Sequence, residues 1–161
     1  MRAAALLAAL LLAACGFQLR GSVDLPFDTL YMPNATSGIA LDLKRQIQSG
    51  SATRVVDDPN GAQARLQFTE ETRTKEILSL TTAGRVREYR LRYRVSFRVE
   101  DAKGGTFVPP NTVALQRDLT YDDSVALAKE GEEELLFRDM QNDMVQQILR
   151  RLVTARAPSA N

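Results

Sequence analysis

The stretch that most constrains this chain is residues 87–99, where apolar and polar side chains alternate without interruption. Its odd positions are Arg87, Tyr89, Leu91, Tyr93, Val95, Phe97 and Val99; its even positions are Glu88, Arg90, Arg92, Arg94, Ser96 and Arg98. Side chains of a strand point alternately to its two faces, so this spacing predicts one long β-strand with an apolar face and an arginine-dominated one. The apolar face requires a covering layer of helices or a second sheet. The arginine face requires water, or an acidic or polar partner.

The flanking segments extend this strand into a sheet. Residues 65–80 alternate at Leu66 and Phe68, run polar from Thr69 to Glu76, and turn apolar again at Ile77, Leu78 and Leu80. That pattern predicts a long strand carrying a bulge. Thr81-Thr82-Ala83-Gly84 and Asp101-Ala102-Lys103-Gly104-Gly105 are turn signals on either side of the central strand. Pro109-Pro110-Asn111 predicts an irregular connection, followed by a strand with Val113, Leu115, Arg117, Leu119 and Tyr121 in alternation. The three runs form an antiparallel meander.

Upstream, residues 29–32 read as a strand closed by Pro33-Asn34. Thr36 or Ser37 caps a helix with Ile39, Leu43 and Ile47 on one stripe and Gly50 as its C′ residue, before a short strand at 53–56. Strand, helix and strand in this order predict a right-handed crossover. Downstream, Asp122 or Asp123 caps a last helical region. A short piece at 124–129 breaks at Gly131, and a long helix opens at Glu132-Glu133-Glu134 with Phe137, Met140, Met144, Ile148 and Leu152 on its stripe. Acidic residues at its start and Arg150, Arg151 and Arg156 at its end suit the helix dipole. The predicted fold class is α/β, a two-layer sandwich of a mixed, largely antiparallel sheet with two main helices packed on one face. One domain over 15–156, with 157–161 as a frayed tail, accounts for the mature chain.

The N-terminus reads as an address. Met1-Arg2 precedes the apolar run Ala3-Ala4-Ala5-Leu6-Leu7-Ala8-Ala9-Leu10-Leu11-Leu12-Ala13-Ala14, which ends at Cys15-Gly16. Such a run is short for a membrane span and fits the core of a signal peptide. Leu12-Ala13-Ala14-Cys15 resembles the lipobox of bacterial lipoproteins, which implies removal of residues 1–14 and acylation of Cys15; an uncleaved anchor is the competing reading. Several acyl chains on one cysteine give stable membrane attachment. Gly16 stands where an Asp would suggest inner-membrane retention, which favours the outer membrane.

Composition narrows the chemistry. The chain has 21 basic and 20 acidic residues, one cysteine and no histidine. Histidine-based acid–base catalysis, histidine-containing metal sites and an intramolecular disulfide are therefore excluded. No nucleophile elbow, glycine-rich phosphate loop or Cys-x-x-Cys is present. Glu70 and Glu71 fall on opposite faces of a regular strand, and Asp122-Asp123 is better explained as a helix cap than as a metal pair. No catalytic residue, metal or cofactor is expected beyond a covalent lipid on Cys15.

What remains is the basic stripe. Arg90, Arg92 and Arg94 share one face with heads about 6–7 Å apart, and Arg85 and Arg87 carry the charge to the turn. Guanidinium groups suit phosphate and carboxylate through forked hydrogen bonds. The plain alternative is a solvated sheet face with Glu88, Glu70 and Asp118 as cross-strand partners. Balanced charge, and a basic face without interleaved aromatics, argue against nucleic acid.

Several segments together resemble one family. They are Cys15-Gly16-Phe17-Gln18-Leu19-Arg20-Gly21 after the lipobox, Gly84 with Glu88-Tyr89, Ala126-Leu127-Ala128-Lys129, and Gln146-Gln147-Ile148-Leu149-Arg150-Arg151-Leu152. Their order and spacing over about 15–153 resemble the lipopolysaccharide-assembly lipoproteins, the LptE family, once called rare lipoprotein B. The resemblance implies an α/β sandwich anchored in the outer membrane and seated as a plug in the β-barrel LptD. It further implies help in assembling that barrel, binding of lipopolysaccharide on its way to the cell surface, and no enzymatic activity. It carries Lys129 over as a lipopolysaccharide contact; Arg85 and Arg87 join it on charge and turn position. Arg90, Arg92 and Arg94 become candidates for facing the barrel lumen. The alternative is a free-standing envelope lipoprotein that binds an anionic ligand without a barrel partner.

Overall fold

The computed structural model describes residues 23–156. The leader, Cys15, the alternating Phe17-Gln18-Leu19-Arg20, whose pattern could form a short strand, and the C-terminal tail lie outside the described residues. The elements are β1 (Thr29–Tyr31), α1 (Gly38–Gly50), β2 (Arg54–Val56), β3 (Ala64–Leu80), β4 (Val86–Asp101), β5 (Thr106–Thr120) and α2 (Ala126–Val153), with 3₁₀ turns at Pro59–Gly61 and Asp123–Val125. One mixed sheet in the order β2-β1-β3-β4-β5 underlies both helices. β1 runs parallel to β2 and β3, while β3, β4 and β5 are antiparallel.

The alternation in β4 sets the core. Leu91, Tyr93, Val95, Phe97 and Val99 are all buried. Ile39, Leu43 and Ile47 of α1 and Met140, Met144, Val145, Ile148, Leu149 and Leu152 of α2 close over them. Removing each such side chain from water stabilises the fold by about 1.5–3 kcal/mol. The α/β sandwich follows from this one apolar sheet face and its two helical stripes.

Three expected details come out differently. Gly50 does not stand outside α1: the helix includes it and ends at Ser51, an extended residue. Ser51 N–H and its hydroxyl both donate to the Ile47 carbonyl, at 3.0 and 2.8 Å, and so do the work of a glycine cap. Nor do Pro109 and Pro110 delay β5, which starts at Thr106. β5 is an edge strand, and the register shift that pairs Phe97 with Asn111 but Val99 with Val108 leaves the prolines unpaired. Finally, α2 runs unbroken from Ala126 through Gly131 to Val153. A glycine costs about 1 kcal/mol against alanine in a helix, too little to break one held by six buried side chains. Asp122 caps the 3₁₀ turn before this helix, accepting from Ser124 N–H at 2.9 Å and from its hydroxyl at 2.8 Å.

The expected bulge in β3 decides the character of half the molecule. Up to Phe68, the even positions Ala64, Leu66 and Phe68 lie opposite Asp101, Val99 and Phe97, with Leu66 and Phe68 packed in or against the core. A register shift between Phe68 and Glu70 then places Glu71, Arg73, Lys75 and Ile77 opposite Val95, Tyr93, Leu91 and Tyr89. One extra residue exchanges the two faces of a strand. Charged side chains are thereby turned under the first half of α2.

Candidate functional site

The β3–β4 turn, the end of β5 and the start of α2 converge at one end of the sandwich. Thr81 N–H donates to the Arg85 carbonyl at 2.7 Å, Gly84 N–H to the Thr81 carbonyl at 2.9 Å, and Arg85 N–H to the Thr81 hydroxyl at 3.1 Å. Gly84 has φ +74°, the left-handed conformation that lets so tight a turn close. Tyr121 N–H donates to the Arg87 carbonyl at 2.8 Å and ties the turn to the end of β5. Arg85 and Arg87 thus line an open groove of about 330 Å³ with Tyr121, Asp122 and Asp123.

Lys129 belongs to the same end. The Asp122 carboxyl is held below its ordinary range, first by the Ser124 N–H, then by the Ser124 hydroxyl, with the charges of Arg85 and Lys129 adding to the effect. The structure therefore brings Lys129 to the end that holds Arg85 and Arg87, from which it is distant in the sequence. Lys129 is ion-paired to Glu132 at 2.7 Å. Arg85 and Arg87 are exposed, and among the described residues neither side chain has a hydrogen-bond or ion-pair partner.

The arginine face of β4 is more fully paired. Arg90 donates to both oxygens of Asp118, at 2.8 and 3.1 Å. That fork raises the Arg90 pKa and lowers that of Asp118. Arg92 meets Glu76 at 3.6 Å. Arg94 has no ion-pair partner among the described residues and sits with Arg92, Glu70, Thr72, Thr74 and Glu76 around a hollow of about 160 Å³. Of the three carboxylates expected opposite these arginines, only Asp118 is used. Glu88 accepts from the Ser79 hydroxyl at 2.6 Å, and Glu70 from Thr72 and Ser96 at 3.2 and 3.3 Å.

Sequence reasoning missed a polar layer between the sheet and the first half of α2. The Tyr93 hydroxyl donates to Glu71 at 2.5 Å; burial first, and then this bond, push its phenol far above the ordinary value. The Arg73 guanidinium lies 4.6 Å over the Tyr93 ring and 5.7 Å from that of Phe137. It also donates to Gln141, whose amide in turn donates to Asp42 of α1 at 2.5 Å. Lys75 donates to Glu133 at 2.6 Å, the main cause of its raised pKa, and stands 4.3 Å over the ring of Tyr89. Tyr89 and Tyr121 meet edge to face at 5.1 Å. The available signal was the choice of tyrosine at positions 89, 93 and 121, because a buried tyrosine hydroxyl needs a polar partner. Among the described residues, no group of three carboxylate, cysteine or histidine side chains is placed to hold a metal ion.

Residues 25–152 match the family model described as LptE, lipopolysaccharide-assembly. The LPS-assembly lipoprotein LptE of Pectobacterium atrosepticum is 26% identical over 153 residues, covering 92% of this chain and 82% of that protein. The Yersinia pestis protein of the same name is 28% identical over 155 residues, covering 94% and 74%. Among solved structures, lipoprotein B from Nitrosomonas europaea superimposes with a TM-score of 0.72 at 43% identity, over 84% of this chain and 88% of that one. Rare lipoprotein B from Shewanella oneidensis gives a TM-score of 0.67 at 26% identity, over 78% and 92%. With the match running from before β1 nearly to the end of α2, the chain belongs to the LptE lipopolysaccharide-assembly family.

Proposed function

We propose that this protein is a non-enzymatic subunit of the lipopolysaccharide export machinery, held at the outer membrane by lipid on Cys15. In this reading it plugs the LptD β-barrel, assists its assembly, and binds lipopolysaccharide through Arg85, Arg87 and Lys129. The observation that carries the proposal is the family match over residues 25–152. The convergence of the three basic residues on the Asp122 end supports the ligand site. Lipid A carries phosphates, and two exposed guanidinium groups that are unpaired among the described residues offer charge-assisted hydrogen bonds to them.

Arg90, Arg92 and Arg94 take the role of lumen-facing residues. Their face combines the forked Arg90–Asp118 pair and the looser Arg92–Glu76 pair with threonine and serine hydroxyls, which suits a surface bathed in the water of a barrel. No described helix is long and apolar enough to cross a membrane, so attachment in this reading rests on the lipid.

The test is a pull-down of the lipidated protein with LptD, together with depletion of the protein from cells. Co-purification and a barrel-maturation defect are expected. A barrel that matures normally after depletion, with no co-purification, overturns the proposal. Protein that ignores LptD yet binds anionic ligands would instead make it a free-standing envelope lipoprotein.

A further inference from the structure

The described surface exposes few large apolar side chains, and most of them share one end. Ile77, Leu78 and Leu80 lead into the β3–β4 turn and are 59%, 39% and 55% exposed; Val125 and Leu127 at the start of α2 are 47% and 83% exposed. Leu80 adjoins Thr81 and Val125 lies two residues beyond Asp123, and Thr81 and Asp123 both line the groove that holds Arg85 and Arg87. In the body of the molecule, Ile39, Leu43 and Ile47 show what the same chain does with an apolar stripe it needs for folding, since all three are buried.

The fold does not call for the exposed ones. Ala126 and Lys129 are the partly buried residues of the first helical turn, and Leu127 projects between them into solvent. Leucines and one isoleucine left open next to two guanidinium groups that are unpaired among the described residues bring apolar and cationic side chains together at this end. A phosphate alone would satisfy only the cations, and an apolar peptide only the flanks. An anionic amphiphile satisfies both, with its charged head against the arginines and its acyl chains against the flanks.

We propose that Ile77, Leu80 and Leu127 form an acyl-chain subsite beside the basic cluster. One lipopolysaccharide molecule is then held through its phosphates and its acyl chains together. This inference rests on the lipopolysaccharide reading of Arg85, Arg87 and Lys129, and adds to it the part of the ligand that meets the apolar side chains.

The experiment measures binding of the lipidated full chain to intact lipopolysaccharide, to chemically deacylated lipopolysaccharide and to phosphatidylglycerol vesicles. It compares the wild type with a Ile77→Ser, Leu80→Ser, Leu127→Ser variant and with a Arg85→Ala, Arg87→Ala, Lys129→Ala variant. The apolar variant should lose about tenfold in affinity for intact lipopolysaccharide and nothing for the deacylated form. The basic variant should lose both. An apolar variant that binds intact lipopolysaccharide as the wild type does overturns the subsite and leaves the basic site standing. A basic variant that binds both forms normally overturns the site itself. Equal loss toward phosphatidylglycerol vesicles makes the patch a general lipid surface, and loss of LptD association alone makes it a barrel contact; either result overturns the subsite. Leu127→Ser by itself, at the most exposed of these positions, supplies the same readout if the triple variant folds poorly.

Discussion

Around β1, β2 and α1 the two layers meet through side chains that exclude water, such as Leu30, Ile39, Leu43, Phe97 and Ile148, each at most 1% exposed. Toward the β3–β4 turn, the same long strands and the same helix meet through Glu71, Arg73, Lys75 and three tyrosines. On β3 nothing beyond Leu66 is buried, and on α2 nothing before Met140. The contrast separates what the fold needs from what it can spare. One region supplies cooperative stability; the other supplies a polar, partly open surface that ends in the basic groove. Interactions of exposed ions are individually weak, so that second region can re-pair its charges with a ligand or partner at little cost.

Substitutions in the two regions should therefore differ in scale. Phe97→Ala, in the apolar body, should lower unfolding free energy by about 3–5 kcal/mol in denaturant titrations. A loss near 1 kcal/mol would show that the body is not the centre of stability. Tyr93→Phe keeps the buried ring and removes the bond to Glu71 together with the long one accepted from Arg73 at 3.5 Å, so the same titration should show a loss of about 1 kcal/mol. A cost as large as that of Phe97→Ala would erase the distinction between the regions. Gly131→Ala should go the other way. An added Cβ meets nothing within 4 Å and the helix is continuous there, so a gain of about 0.5–1 kcal/mol is expected. Destabilisation at Gly131 would mean that α2 bends or opens at this point.

The smallest effect concerns pH. The Arg90 fork lowers the folded pKa of Asp118 below its ordinary 3.8. A depressed carboxyl contributes stability above its unfolded pKa and loses it as pH falls through the folded value. Asp118→Asn should therefore remove a small contribution that is present at neutral pH and flatten the acid limb of the stability profile below about pH 4, the loss staying small because the pair is exposed. A change at neutral pH as large as that of Tyr93→Phe would place real stability on the arginine face.

What the sequence made legible follows the same division. The body could be read because its signals are periodic: alternation over residues 87–99 and the four-residue spacing of Ile39, Leu43 and Ile47 each point to one buried face. The upper region was harder because a single bulge after Phe68 reverses the meaning of the alternation, and no local residue type marks its position. Thr69 to Glu76 thus looked like plain polar strand, although Arg73 and Lys75 lie under α2. Gly131 misled for a related reason: its local cost is real, but the distant packing of Met140 to Leu152 outweighs it. The basic site was partly visible. Charge and turn position pointed to Arg85 and Arg87, resemblance pointed to Lys129, and only the fold shows that all three share the Asp122 end.

The central claim is that this polar end, and not the apolar body, meets the ligand. The most direct measurement is the affinity of the lipidated protein for lipopolysaccharide after Arg85, Arg87 and Lys129 are each replaced by alanine, with thermal unfolding followed in parallel. Weakened binding with an unchanged melting temperature and intact association with LptD is expected. Unchanged binding in all three variants would contradict the claim.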